Sequence, residues 1–135
     1  MTAIDGRGNV WVTNFGNGSV TEITGFGSSA TYANYSGFGP TEPGAMAIDG
    51  SGNAWVADSQ TGIIAEISGS GASASYTRFN TGLAYIGTMA IDGSGNAWMV
   101  DMRADILELL GVATPVVTPI TAGGGGTTAR LGVRP

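Results

Sequence analysis

The chain has no cysteine, no histidine and no lysine. Without cysteine there is neither a disulfide framework nor a thiolate site, and the redox compartment stays open. Without histidine the commonest general base and the commonest transition-metal ligand are both missing, so a Ser-His-Asp arrangement has no base. Charge is scarce as well: Asp, Glu, Lys and Arg make up 11% of the residues, against roughly 25% in an average globular chain. Residues 1–121 carry Arg7, Arg78 and Arg103 against ten acids, a net charge of −7. A body this acidic repels phosphate backbones, which argues against nucleic acid as a partner. It gives no electrostatic attraction to anionic lipid either. No apolar run approaches the roughly 18 residues of a membrane-crossing helix, and no basic and apolar leader precedes the first repeat, so no signal peptide is expected.

What is present is glycine, 24 residues of 135, alongside 42% hydrophobic residues and three tryptophans. That mixture predicts many short strands joined by tight turns rather than disorder. The dominant signal is repetition. "MAIDGSGNAW" occurs at Met46–Trp55 and again at Met89–Trp98, with a near copy, "TAIDGRGNVW", at Thr2–Trp11. Trp11, Trp55 and Trp98 are spaced 44 and 43 residues apart. The Asp-Gly pairs that begin at Asp5, Asp49 and Asp92 keep that period, as do Asn9, Asn53 and Asn96. So do Asn14, Asp58 and Asp101, and Glu22, Glu66 and Glu108, the last one residue early.

Within one copy the apolar period is two. In the second copy, Ala45–Asp49, Ala54–Asp58, Ile63–Ser68 and Ala74–Asn80 read as four strands, with Gly50–Asn53, Ser59–Gly62 and Gly69–Ser73 as turns. Four antiparallel strands in about 43 residues, repeated, predict an all-β, partial β-propeller of about three four-stranded blades. The expected units are residues 1–44, 45–87 and 88–111, the third incomplete, followed by a Pro/Gly-rich tail over 112–135. One blade cannot bury both faces alone, so the tryptophans are expected between blades. Within the tail, "VATPVVTPI" predicts either an edge strand, where proline is tolerated, or an extended exit from the domain.

Each recurring polar residue has a chemical and a structural reading. Asp-Gly-Ser-Gly-Asn is similar to the start of a calcium loop, but such a loop needs Gly sixth and Glu twelfth. Counting from Asp49, those places hold Ala54 and Gln60, so the expectation is a hairpin turn with Asp49 bonding its own backbone. Glu22, Glu66 and Glu108 either ring a cation or sit on a half-exposed strand face, where Arg78 is a candidate partner. Asn14, Asp58 and Asp101 either line one face of the propeller or cap the turn that follows. Gly123–Gly126 lacks the Gly-Lys-Ser/Thr ending of a phosphate loop. No cofactor or metal is expected, and no catalytic residue.

"GAMAIDGSGNAWVADSQTGIIAEI" resembles the NHL repeat, with its Asp-ended first strand and its Gly-Asn-aromatic second strand. It is also similar to the blades of virginiamycin B lyase-like propellers, which favour Trp in the second strand. The resemblance spans residues 2–110 and implies a propeller fold. The place where NHL repeats often carry Arg holds Ser19, Ile63 or Asp105 here. Propeller lyases and lactonases rely on histidine or a metal-bound carboxylate cluster, so the resemblance carries no catalytic role onto any residue of this chain.

Closed propellers have typically four to eight blades, and three do not close. The chain is therefore expected to be part of a longer propeller, to pair with a second copy into a ring, or to persist as an open arc. The function expected is a non-catalytic binding scaffold for an unidentified protein or small-molecule ligand. The alternative is a fragment of a lyase- or lactonase-like enzyme whose catalytic residues lie in other blades. In this topology the loops after each second strand share a face with the connections between blades. The expected contact face comprises Asn14, Phe15, Asn17, Phe38, Glu42, Asp58, Gln60, Tyr85, Asp101 and Arg103, with Phe15, Phe38 and Tyr85 exposed. Low charge, a Gly/Thr-rich tail and absent cysteine fit a bacterial envelope or secreted protein.

Overall fold

A computed structural model describes residues 1–116. It contains eleven strands in three antiparallel sheets. The first sheet orders β1 (Thr2–Ile4), β2 (Val10–Asn14), β3 (Ser19–Thr24) and β4 (Thr31–Tyr35) side by side. The second orders β5 (Pro43–Ile48), β6 (Ala54–Asp58), β7 (Ile63–Ser68) and β8 (Ser75–Asn80) in the same way. The third has β9 (Ile86–Ile91), β10 (Ala97–Asp101) and β11 (Ile106–Leu109). The propeller expectation is met in this form: two four-stranded blades and one with three strands among the described residues. Most of the expected tail, residues 117–135, lies outside the described residues.

Register explains the recurring phrase. Trp11 pairs with Glu22, Trp55 with Glu66 and Trp98 with Glu108. Each Trp and its Glu therefore share one face of their blade. In blade 1 that face meets blade 2: Trp11 and Val20 pack with Phe38, Met46, Ala54, Val56, Ala65 and Ile67. In blade 2 the equivalent face meets blade 3: Trp55 and Ile64 pack with Ile86, Met89, Ala97 and Met99. Trp11 stacks on Tyr35 with centroids 5.3 Å apart, and Trp55 stacks on Phe79 at 5.4 Å. Every residue of β6 is buried because that strand has a blade on both sides, whereas β2 alternates, as a strand covered on one face must. Blade 3 presents its Trp face outward, and Trp98 is 39% exposed where Trp11 and Trp55 are 2% and 0%.

The hairpin turns between the first two strands of each blade are built alike. Asp5, Asp49 and Asp92 accept backbone N–H bonds from the residues two and four places on. The turn closes through Gly8, Gly52 and Gly95, at φ of 85°, 87° and 82°, a region that favours glycine.

Val112–Val116 opens the segment expected to leave the domain or pair as an edge strand. It instead crosses back over two of these turns. Ala113 N–H donates to Gly95 O, Gly50 N–H to Thr114 O, and Val116 N–H to Asp92 O. Thr114 N–H donates to Asp49 Oδ2 at 3.3 Å. The carbonyls of Ala113, Thr114 and Pro115 lie close against the turns, so this stretch straps blade 2 to blade 3. A Cβ on Gly50 would lie 1.9 Å from Pro115 O, while one on Gly6, the same place in blade 1, meets nothing within 4 Å. Gly50→Ala is therefore expected to displace the strap and cost about 1–3 kcal/mol, with Gly6→Ala within about 0.5 kcal/mol of wild type. Thermal unfolding of the pair measures the difference.

Candidate functional site

The turns after the second strand of each blade and the two blade connectors lie at one end of the sheets. The connectors are fastened to the turns. Ser59 N–H donates to Glu42 O at 2.9 Å, and Met102 N–H donates to Tyr85 O at 3.1 Å. Asp58 is the centre of the first junction and is fully buried. Its Oδ2 accepts Thr41 N–H at 2.6 Å and Glu42 N–H at 3.0 Å. Its Oδ1 accepts Gln60 N–H and Thr61 N–H, both at 2.8 Å. Burial alone would raise this carboxyl, but the four backbone donors outweigh it and hold the pKa at about 2. Asp101 repeats the turn half of the pattern, accepting from Arg103 and Asp105 N–H. Asn14 donates instead to Ser19 Oγ and Thr21 Oγ1 along its own sheet. These three residues brace turns and strands.

Phe38 departs from the expectation. It is 0% exposed and packs in the core between blades 1 and 2, with the Tyr76 ring 6.0 Å away. The connector turns this side chain inward because the end of the interblade core would otherwise be open to water. Arg78 does not pair with a recurring glutamate; Nε donates to Phe38 O at 2.7 Å and Nη2 donates to Gly37 O, so it fastens the same connector.

The remaining residues stay available. Phe15 is 53% exposed and Tyr85 45%. The Arg103 guanidinium lies over the Tyr85 ring at 6.0 Å, a cation–π arrangement worth about 0.5–1 kcal/mol when exposed. Gln60 donates to the Glu42 carboxylate. Asn17 accepts from Ser19 Oγ through its carbonyl and lines an open groove of about 540 Å³ with Ser36, Pro40, Thr41 and Arg78. The structure thus joins Glu42 to Gln60 and Tyr85 to Arg103, while Phe15 and Asn17 belong to the blade 1 turn.

The opposite end explains the other repeated polar residues. Asp5 Oδ2 accepts from Trp11 Nε1 at 3.2 Å and from Asn9 Nδ2 at 3.0 Å. Asn9 Nδ2 also donates to Glu22 Oε1, and Tyr35 OH donates to Glu22 Oε2 at 2.6 Å. Gly71 N–H of blade 2 donates to that phenol oxygen at 3.0 Å. Burial and the bond to Glu22 push the Tyr35 phenol up to about 12. The same Asp-to-Trp bond recurs in blades 2 and 3. Glu22 is buried rather than half-exposed. Glu22 and Glu66 are held by this network, and the Asp-Gly turn is a hairpin, not a calcium loop. Among the described residues no three His, Cys, Asp or Glu side chains are placed to hold a metal ion. The six-residue Asp-to-Trp interval is constant in all three copies, which marks the pair as recurring without showing the bond.

No protein-family model and no curated protein sequence matches the chain. Solved structures do. A streptogramin B lyase superposes with a TM-score of 0.62 at 11% identity, over 81% of this chain and 39% of that one. Virginiamycin B lyase from Staphylococcus aureus gives 0.60 at 15% identity, over 81% and 40%. A catalytically inactive histidine-to-alanine form of that enzyme, crystallised with quinupristin, gives 0.62 at 16% identity over the same shares. At these identities the likeness shows the β-propeller fold, and the chain spans about two fifths of the length of the structures it matches. The lyase half of the sequence resemblance is met; the NHL half gains no match. The expectation that the chain is no enzyme is contradicted to this extent: the solved structures it matches, at 11–16% identity and over about two fifths of their length, are of lyases. That expectation rested on the absent histidine, which speaks only for the blades spanned.

Proposed function

We propose that these three blades are part of a lyase-type propeller and supply its ligand-facing loops, with proton transfer carried by residues outside the chain. The single observation that carries this reading is the braced end of the sheets. Its turns and connectors are locked by Asp58 and Asp101, yet Phe15, Tyr85 and Arg103 are left for a ligand. A rigid platform with free aromatic and cationic groups binds at low entropic cost. The division of labour follows from two facts. The inactive form of virginiamycin B lyase lacks one histidine, and this chain has no histidine at all. Asp58, at a pKa of about 2, is too weak a base to replace it near neutrality. The ligand class is that of quinupristin, with which the inactive form of virginiamycin B lyase was crystallised. The contact residues are Phe15, Asn17, Glu42, Gln60, Tyr85 and Arg103.

Calorimetric titration of the full chain with quinupristin tests this. Binding is expected, weakened at least roughly tenfold by Ala at Phe15, Tyr85 and Arg103 together, with the circular dichroism unchanged. Absence of binding by the folded protein, or equal affinity in the triple variant, overturns the reading.

A further inference from the structure

The two outer flanks of the arc are complementary halves of an interface the molecule already contains twice. Blade 3 turns outward the face that blades 1 and 2 bury against their next neighbour. Ile106 is 69% exposed where its equivalents Val20 and Ile64 are both 0%, and Trp98 is exposed likewise. Blade 1 turns outward the face with which blades 2 and 3 receive a neighbour. Ile4, Val10, Ile23 and Tyr32 form one cross-strand row on it. Ala54 and Ile67, the blade 2 equivalents of Val10 and Ile23, are fully buried where Val10 and Ile23 are half-buried, and Ile4 and Tyr32 are 67% and 68% exposed where their equivalents Ile48 and Tyr76 are half-buried and 39% exposed.

We infer that blade 3 of one copy docks on blade 1 of a second copy, head to tail, so that two chains supply the blades a ring requires. This goes beyond the proposed function and concerns closure of the ring alone, because a second copy adds blades but no histidine. Charge and shape favour a second copy. In the internal interface, a cavity of about 340 Å³ beside Trp11 and Glu22 is lined across the junction by Ser51 and Ser70. The residues at those two places in blade 1 are Arg7 and Phe26. Arg7 is exposed and lines that internal cavity from the blade 1 side; in a docked pair its turn adjoins the Asp92 turn of the other copy, bringing a cation toward Asp92 and Glu108. Phe26, 78% exposed, comes beside Trp98, which among the described residues has no counterpart of the fourth-strand aromatic that Tyr35 and Phe79 provide in the other blades. Each chain thus brings a cation and a ring to a blade 3 that has neither at those places among the described residues.

Light scattering on the full chain tests the inference with Ile106→Asp and Ile4→Asp, both at exposed positions, and with Lys at each as the second pair. The wild type is expected at twice 13.5 kDa or larger, and each variant alone at the mass of one chain. Mixing the Ile106 variant with the Ile4 variant restores one intact junction, so the equimolar mixture is expected to regain the mass of two chains. A folded wild type of single-chain mass, association that survives either substitution, or a mixture that stays monomeric overturns it. Quinupristin binding by a monomer sinks this inference alone. A dimer that binds no quinupristin sinks the functional reading alone.

Discussion

Asp58→Ala is expected to lower stability by about 3–5 kcal/mol and to leave most of the chain unfolded at 37 °C. The loss follows from what remains behind. Four backbone N–H groups, of Thr41, Glu42, Gln60 and Thr61, lose their acceptor in a buried place. Each unsatisfied donor costs about 1–3 kcal/mol, with partial recovery by relaxation and water. Equilibrium urea unfolding measures the change. The wild-type carboxylate also sets an acid limit. Its folded pKa of about 2 lies below the ordinary aspartate value of about 3.9, so its contribution is complete above about pH 4 and is lost as pH falls toward 2. The contribution is on the order of 2 kcal/mol. The wild type is therefore expected to lose stability over that window. A flat profile between pH 4 and 2 contradicts the assignment.

Trp55→Ala is the second large effect, at about 3–5 kcal/mol. This side chain is fully buried, stacks on Phe79 and fills the junction between blades 2 and 3. Its removal leaves a cavity walled by two sheets whose hydrogen bonds resist collapse. The same change at Trp98, in the identical phrase, is expected to cost under about 1 kcal/mol in a single chain, because that indole is partly solvated and blade 3 supplies no aromatic against it among the described residues. Denaturant midpoints of the two variants, measured at a concentration where the protein is monomeric, test the contrast. Equal losses would mean that the position in the arc does not matter.

These two cases also show how much was legible beforehand. The strands, the turns and the burial of Trp11 and Trp55 follow from a 43- to 44-residue period and an apolar period of two. Both are properties of a repeat read against itself. The Asp-to-Trp bond was equally periodic, but propensity and pattern carry no information on which side chain an indole N–H will find. Phe38 was misread because the connectors are the non-repeating part. Gly37–Gly44 and Thr81–Gly87 share little sequence, so neither predicts where the other points. The strap was invisible for a different reason. Its partners are mostly backbone carbonyls and amides, those in blade 2 more than 60 residues away, and no side-chain pattern encodes such a pairing. Of the expected contact residues, the aromatic and charged ones at turn tips stayed available. The acids that end second strands were drawn into the frame, as short carboxylates beside a turn usually are.

The strap also imposes an order of events in time. Each blade is assembled from hairpins whose partners are near in sequence, so loop closure is fast and cheap for the sheets themselves. The bonds of Thr114 to Asp49 and Ser51 close loops of 65 and 63 residues. They can form only after both blades they join are in place. On a ribosome, blade 2 emerges long before the residues that will lie across its Asp49 turn, and that turn waits open. The amides of Gly50 and Ala113 should accordingly be the last to become protected during refolding and the first to exchange in the native state.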